Sequence, residues 1–475
     1  MIPLLTGVII ALFLYFINPF QVAPDAARVL AVAGLMITWW IGEALPMPVV
    51  ALIPLVFFPL LKISSMEQAA SPYANPVIFL FMGGFMIGLA IEKWNLHRRI
   101  ALNIIRLTGT SGDRIILGFI FSTGLLSMWL SNTATTMMMF PIALSVIQVM
   151  RENDRGEGNI ANFSLVIMLV IAYASNIGGI ATIIGTPPNV AYVAYIEKKY
   201  NYTVDFLNWM LICAPLAIIL LLSMYWIMVK WMFPNRIKSD HATKQLIRDE
   251  IAELGPFSVN EKRVLTIFLF TAGLWIFKDL LNSIQDVFRL NDSMIAITGA
   301  LALFICPASV TENKSASILE WEDTSKMAWG ILLLFGGGIS LATALENAGL
   351  MQQLGEWLSQ FAGNQFLLLV VVVTVTMFMS EVMSNVAQVI VFAPVVSSMS
   401  DAIGMNPLML GIAMTLAASC ASMLPMGTPP NAIVFASGHI RLSHMVKAGF
   451  VINVISIILI SLFCWFLLPM LLNIG

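Results

Sequence analysis

The sequence predicts an all-helical membrane protein that crosses the bilayer many times and is built as two related halves. Three observations carry this reading. Of 475 residues, 59% are hydrophobic and only 11% are charged, against about 25% charged in soluble domains. Uncharged apolar runs recur along the whole chain, several longer than the roughly 20 residues that a helical crossing needs. A set of short polar motifs also appears once in each half, in the same order. Alternating segments of about 10 residues, which would build a membrane barrel, are not seen. A net charge of −2 without a basic patch gives no footing for nucleic acid.

Taken in chain order, residues 1–18 are apolar but lack a basic start and a small-residue cleavage site. They read as a retained first helix, not a signal peptide. Residues 1–27 form this N-terminal helix and loop, 28–234 a first repeat, 235–263 a polar linker and 264–475 a second repeat. The linker, "NRIKSDHATKQLIRDEIAELGPFSVNEKR", is too charged for hydrocarbon and reads as a solvated amphipathic helix. Cys213, Cys306, Cys420 and Cys464 lie singly in apolar runs and read as small packing residues. His97, His241, His439 and His444 have no metal-ligand spacing, and no G-x-S-x-G elbow is present, which argues against a membrane enzyme.

The halves correspond at three places. Phe81-Met-Gly-Gly, followed by Glu92 and Leu96, matches Phe335-Gly-Gly-Gly, Glu346 and Leu350. Ser131-Asn132 matches Ser384-Asn385, each with a proline ten residues after the serine. The pentapeptide from Gly185 to Asn189, "GTPPN", recurs from Gly427 to Asn431. Lys93, Arg98, Arg99, Arg106 and Arg114 cluster between apolar segments, a loop that the positive-inside rule assigns to the cytoplasm. The matching residues 346–356 contain no Lys or Arg, the asymmetry that inverted repeats produce. The glycine-rich segments around Phe81 and Phe335 read as re-entrant hairpins; the alternative is helices packed closely through their glycines.

Residues 131–141, "SNTATTMMMFP", sit inside residues 115–150, which contain no Asp, Glu, Lys, Arg or His. One straight helix of that length would span about 54 Å, against a hydrocarbon core of about 30 Å. The run must break, tilt strongly or turn back. Ser131 and Asn132 are its natural break, because their side chains compete for backbone hydrogen bonds. Residues 158–196 and 402–440 pose the same problem, and there the paired prolines break the helix.

A broken helix exposes unpaired carbonyls on one side and unpaired N–H groups on the other. Carbonyls joined by Ser and Asn oxygens suit a small hard cation such as Na⁺. N–H ends joined by hydroxyls suit a carboxylate. None of the four motifs contains Lys or Arg, which favours binding of an anion together with Na⁺ and argues against an arginine clamp. Interrupted segments at matching places in two halves mark the binding site of a secondary transporter; an ion channel is the competing class. Met137, Met138 and Met139 read as packing. Glu381, the one acid in residues 357–400, reads as a support for the break or a proton-sensitive element more than as a direct ligand.

These paired motifs resemble the divalent anion/sodium symporter family, the INDY-type dicarboxylate carriers, over nearly the whole chain. The resemblance implies about 11 transmembrane helices and two re-entrant hairpins, arranged as a scaffold and a transport domain that moves like an elevator. It also implies a homodimer in the cell membrane and Na⁺-coupled symport of succinate, malate or fumarate. Sodium-independent exchange, or transport of citrate or sulfate, are the alternatives within the fold. By the same resemblance, one sodium site uses Ser127, Ser131, Asn132 and Gly185. The other uses Ser380, Met383, Asn385 and Gly427. Substrate carboxylates meet Ser131, Asn132 and Thr133 on one side and Ser384, Asn385 and Val386 on the other. Thr428 and Pro429 complete the pocket, with Thr186 and Pro187 as their repeat-related neighbours. Val386, Ser380 and Gly427 depart from the commoner Thr, Thr and Ala, and Val386 favours a C4 dicarboxylate over a tricarboxylate.

Overall fold

The computed structural model describes residues 2–152, 159–238, 241–285, 287–309, 316–359 and 363–471. Regular structure among them is helical, apart from one isolated bridge between Pro307 and Ser317. Eight of the described helices are long and apolar enough to cross a membrane. The N-terminal helix Ile2–Phe16 packs against Pro24–Ile41, where Trp39 Nε1 donates to the Leu4 carbonyl at 3.1 Å.

The glycine-rich segments are not hairpins. Pro76–Lys93 and Trp329–Asn347 each run unbroken through their glycines. The first starts from an Asn75 side-chain cap with proline at its first position, where no donor is lost. The physical reason is packing. A Cβ on Gly83 would lie 2.6 Å from the Ala296 backbone carbon, and one on Gly337 would overlap the Ala51 backbone. The glycines therefore allow close approach. Phe81 and Phe335 meet edge to face, with ring centroids 5.5 Å apart.

The chain turns back at the serine motifs instead. Helices Gly112–Ser127 and Asn132–Glu152 form a first hairpin whose tip is residues 128–131. Both open ends lie at one place: Gly112 N donates to the Ile237 carbonyl and Asn159 N, just beyond the second arm, to the Asn235 carbonyl. Helices Gln365–Met379 and Asn385–Ala402 form a second hairpin with its tip at residues 380–384. Gln365 Nε2 donates to the Ile403 carbonyl at 3.3 Å, so this hairpin also closes at its base. Behind each hairpin lies a broken helix. Ile160–Gly179 is followed by Pro187–Tyr200, and Pro407–Ser419 by Pro429–Phe435. In both, the first proline of the pentapeptide opens the second segment.

The basic helix Leu96–Thr108 and the linker helix His241–Glu253 share one end of the molecule. Arg98 pairs with Glu250 at 2.5 Å and Arg99 with Glu261 at 2.6 Å, while Lys93 pairs with Asp323 at 2.6 Å. The concentration of Lys and Arg there assigns that end to the cytoplasm.

Candidate functional site

The two hairpin tips have matching internal geometry. Ser127 Oγ donates to Asn132 Oδ1 at 2.7 Å, and Ser380 Oγ donates to Asn385 Oδ1 at 2.7 Å. Both serines are buried. Ser131 Oγ accepts from Ala134 N, and Ser384 Oγ from Ala387 N, as side-chain caps of the returning arms. The expected break inside residues 115–150 is thus a turn stabilised by the competing side-chain bonds of serine and asparagine.

Each tip is tied to the loop of a broken helix. In the first half, Thr182 Oγ1 donates to the Met128 carbonyl at 2.5 Å and accepts from Gly185 N at 3.1 Å. Asn189 Nδ2 donates to the carbonyls of Thr182 (2.8 Å) and Gly179 (3.2 Å), holding the loop in shape. Three oxygens face the glycines of this loop. A Cβ on Gly185 would sit 2.5 Å from the Gly179 carbonyl and 3.0 Å from that of Ser127, and one on Gly179 would sit 2.5 Å from Asn132 Oδ1. Only glycines leave this space open. Such an uncharged oxygen cluster can hold a hard cation.

The second half uses a carboxylate for the same task. Glu381, 3% exposed, accepts backbone N–H groups from Ser422 (2.8 Å), Met423 (2.9 Å) and Leu424 (2.9 Å), and the Asn453 amide at 2.7 Å. Four donors on one carboxylate fix residues 422–424 against the hairpin tip. Of the two expectations for Glu381, this geometry is the support for the break. Asn431 Nδ2 donates to the Leu424 carbonyl at 3.1 Å, repeating the role of Asn189.

Ser131, Asn132 and Thr133 share the walls of a single cavity of about 1430 Å³ with Ser384, Asn385 and Val386 from the other tip. Thr186, Pro187, Met383, Gly427, Thr428 and Pro429 also line it, whereas Ser127, Gly185 and Ser380 lie outside its lining. The described lining contains no arginine and one lysine, Lys326, together with Glu43, Glu92 and His97. Burial lowers the His97 pKa from its ordinary value, opposed by the Ile91 carbonyl that its ring meets at 2.9 Å. The imidazole therefore adds no positive charge at neutral pH. Asn95 and His97, at the start of the basic helix, also line the cavity.

One lining residue escaped the sequence reading. Asn176, buried near the end of Ile160–Gly179, donates from Nδ2 to Thr428 Oγ1 at 3.1 Å and joins the two halves. It has no partner in the repeat, since Ala418 stands at the matching position, and a search for repeated residues passes over it. The signal was there in Ser175-Asn176, a polar pair within an uncharged run.

Comparison with known proteins follows the same line. The model for the sodium:sulfate symporter transmembrane region matches residues 1–472. The sodium-dependent dicarboxylate transporter SdcS of Staphylococcus saprophyticus is 38% identical over 477 residues, spanning 99% of this chain and 92% of that protein. SdcS of Staphylococcus aureus strain USA300 is 40% identical over 469 residues, spanning 98% and 90%. Among solved structures, the YdaH transporter of Alcanivorax borkumensis shares the fold with a TM-score of 0.60 at 16% identity, over 86% of this chain and 88% of that one. MtrF of Neisseria gonorrhoeae does so with a TM-score of 0.58 at 14% identity, over 86% and 84%.

Proposed function

The chain belongs to the sodium:sulfate symporter family, and from that premise we propose how its cavity performs Na⁺-coupled dicarboxylate transport. The protein is a multi-pass membrane transporter that uses Na⁺ as its coupling ion. Its substrates are C4 dicarboxylates such as succinate, malate and fumarate, moved by symport.

The observation that carries this reading is the pair of matching tips on one cavity, neither tip carrying Lys or Arg. The first sodium ion takes Ser127, Ser131, Asn132 and Gly185. The second takes Ser380, the Met383 carbonyl, Asn385 and Gly427. One substrate carboxylate meets Ser131, Asn132 and Thr133, and the other meets Ser384 and Asn385 with Val386 as an apolar wall. Thr186 and Pro187, and Thr428 and Pro429, close the pocket from the two broken helices. Helices Asn132–Glu152, Pro187–Tyr200 and Asn385–Ala402 start at the cavity, and their N-termini favour negative charge. A dianion held by motifs without Lys or Arg depends on neighbouring cations to offset its charge, which couples the two cargoes.

The hairpins, re-entrant in the bilayer, move with the broken helices as a transport domain. The glycine helices and their neighbours form the scaffold and the contacts of a homodimer. About 11 crossings in two inverted repeats, with residues 235–263 as the linker between them, complete this arrangement. Uptake of labelled succinate into proteoliposomes tests the whole reading. Uptake rises with an inward Na⁺ gradient and saturates; uptake indifferent to sodium would overturn it.

A further inference from the structure

We propose that Asn176 is a positioning residue that makes the Thr428 hydroxyl an obligate hydrogen-bond donor to the substrate carboxylate. The inference rests on the reading of the cavity as the dicarboxylate site. A threonine hydroxyl has one proton to give and two lone pairs to fill. Thr428 Oγ1 accepts from Asn431 N at 3.3 Å as the cap of its own segment, and from Asn176 Nδ2 at 3.1 Å across the halves. Both lone pairs are then used. The remaining proton is directed away from these donors, and Thr428 and Asn176 both line the cavity. An acceptor such as a carboxylate oxygen is the partner this hydroxyl can satisfy.

The other half lacks this device. Thr186 occupies the same place before its prolines, but its side chain makes no capping bond, and its hydroxyl is free to donate or accept. The two carboxylate positions are therefore unequal, with polarity set at Thr428 by an asparagine that has no repeat partner. Asn176 is 1% exposed and sits among apolar neighbours of a well-packed helix, so its amide is a costly group to bury without such a task.

A double-mutant cycle on the full-length protein in proteoliposomes tests this. Hydrogen bonds to charged groups contribute enough that Thr428→Val should raise the succinate KM by about tenfold or more. Asn176→Ala, and the near-isosteric Asn176→Leu, should each raise KM severalfold while leaving the sodium half-saturation within about twofold. In the Thr428→Val background, Asn176→Leu should add nothing, because its only route to the substrate is gone. Independent effects that multiply, or an unchanged KM in both Asn176 variants, would overturn the proposal. An unchanged KM in Thr428→Val alone would instead overturn the placing of the substrate at Thr428. Monodisperse purified protein with normal sodium-dependent stabilisation separates each outcome from misfolding.

Discussion

At the scale of single residues, the cavity works by what is left out. A Cβ on Gly185 would meet the carbonyls of Gly179 and Ser127, and one on Gly179 would meet Asn132 Oδ1. Gly185→Ala should place a methyl group against those carbonyls and raise the sodium half-saturation by about tenfold or more, the range seen when metal sites lose supporting geometry. Asn132→Ala and Asn385→Ala should each do the same without preventing membrane insertion. Uptake as a function of sodium concentration, with expression followed in parallel, checks all three; near-normal sodium dependence in both asparagine variants would place the cations elsewhere. Glu381 behaves differently because it receives four donors. Glu381→Gln puts an amide N–H₂ against backbone N–H groups, and an unsatisfied buried donor costs about 1–3 kcal/mol. A lowered Tm of the detergent-solubilised variant is the expected result.

At the scale of elements, the serine motifs declare their breaks in the sequence, whereas the glycine motifs do not declare their packing. The break near Ser131 followed from length, because an uncharged run of residues 115–150 cannot cross once as a straight helix. The break at the paired prolines followed from missing donors. The glycines of Phe81-Met-Gly-Gly carried no such constraint. A glycine permits a bend and permits close packing equally, and only the neighbour decides between them. That neighbour, Ala296 for Gly83 and Ala51 for Gly337, lies far along the chain and is invisible to local pattern. Asn176 was missed for a related reason: its partner Thr428 is 252 residues away. Gly337→Ala should cost about 1–3 kcal/mol through overpacking against backbone that cannot move aside. A clear fall in Tm with sodium affinity retained in the surviving protein is expected, and an unchanged Tm would contradict the packing role.

At the scale of the whole molecule, the lining of the cavity reaches the basic end at Asn95 and His97, and a largely buried charged cluster at the other end is suited to seal it. Lys278 lies about 28 Å along its helix from Val259, at a rise of 1.5 Å per residue. It pairs with Asp205 and, at 3.1 Å, with Asp292, whose other oxygen accepts from Phe206 N at 2.7 Å. Trp129 of the first hairpin tip stacks toward Phe206 and Trp275 beside this cluster. Without sodium or substrate, a single cysteine at Val386, in a variant lacking the native cysteines, should react with an impermeant thiol reagent from the cytoplasmic side only. Adding Lys278→Met leaves two carboxylates facing each other and should admit the reagent from outside as well. Labelling that is equal from both sides in the parent variant would contradict a seal at this cluster.

The four donors around Glu381 have an electrical consequence. Among the described residues, no cation pairs with this carboxylate, so its charge is balanced only by dipoles. In the moving-domain reading proposed above, that charge travels with the second hairpin, and a unit charge crossing the membrane field gains or loses about 2.3 kcal/mol per 100 mV. That reading makes the unloaded carrier voltage-sensitive by itself. Voltage steps applied without sodium or dicarboxylate should produce a transient charge movement that Glu381→Gln removes, while the net charge per completed cycle stays fixed by the cargo alone.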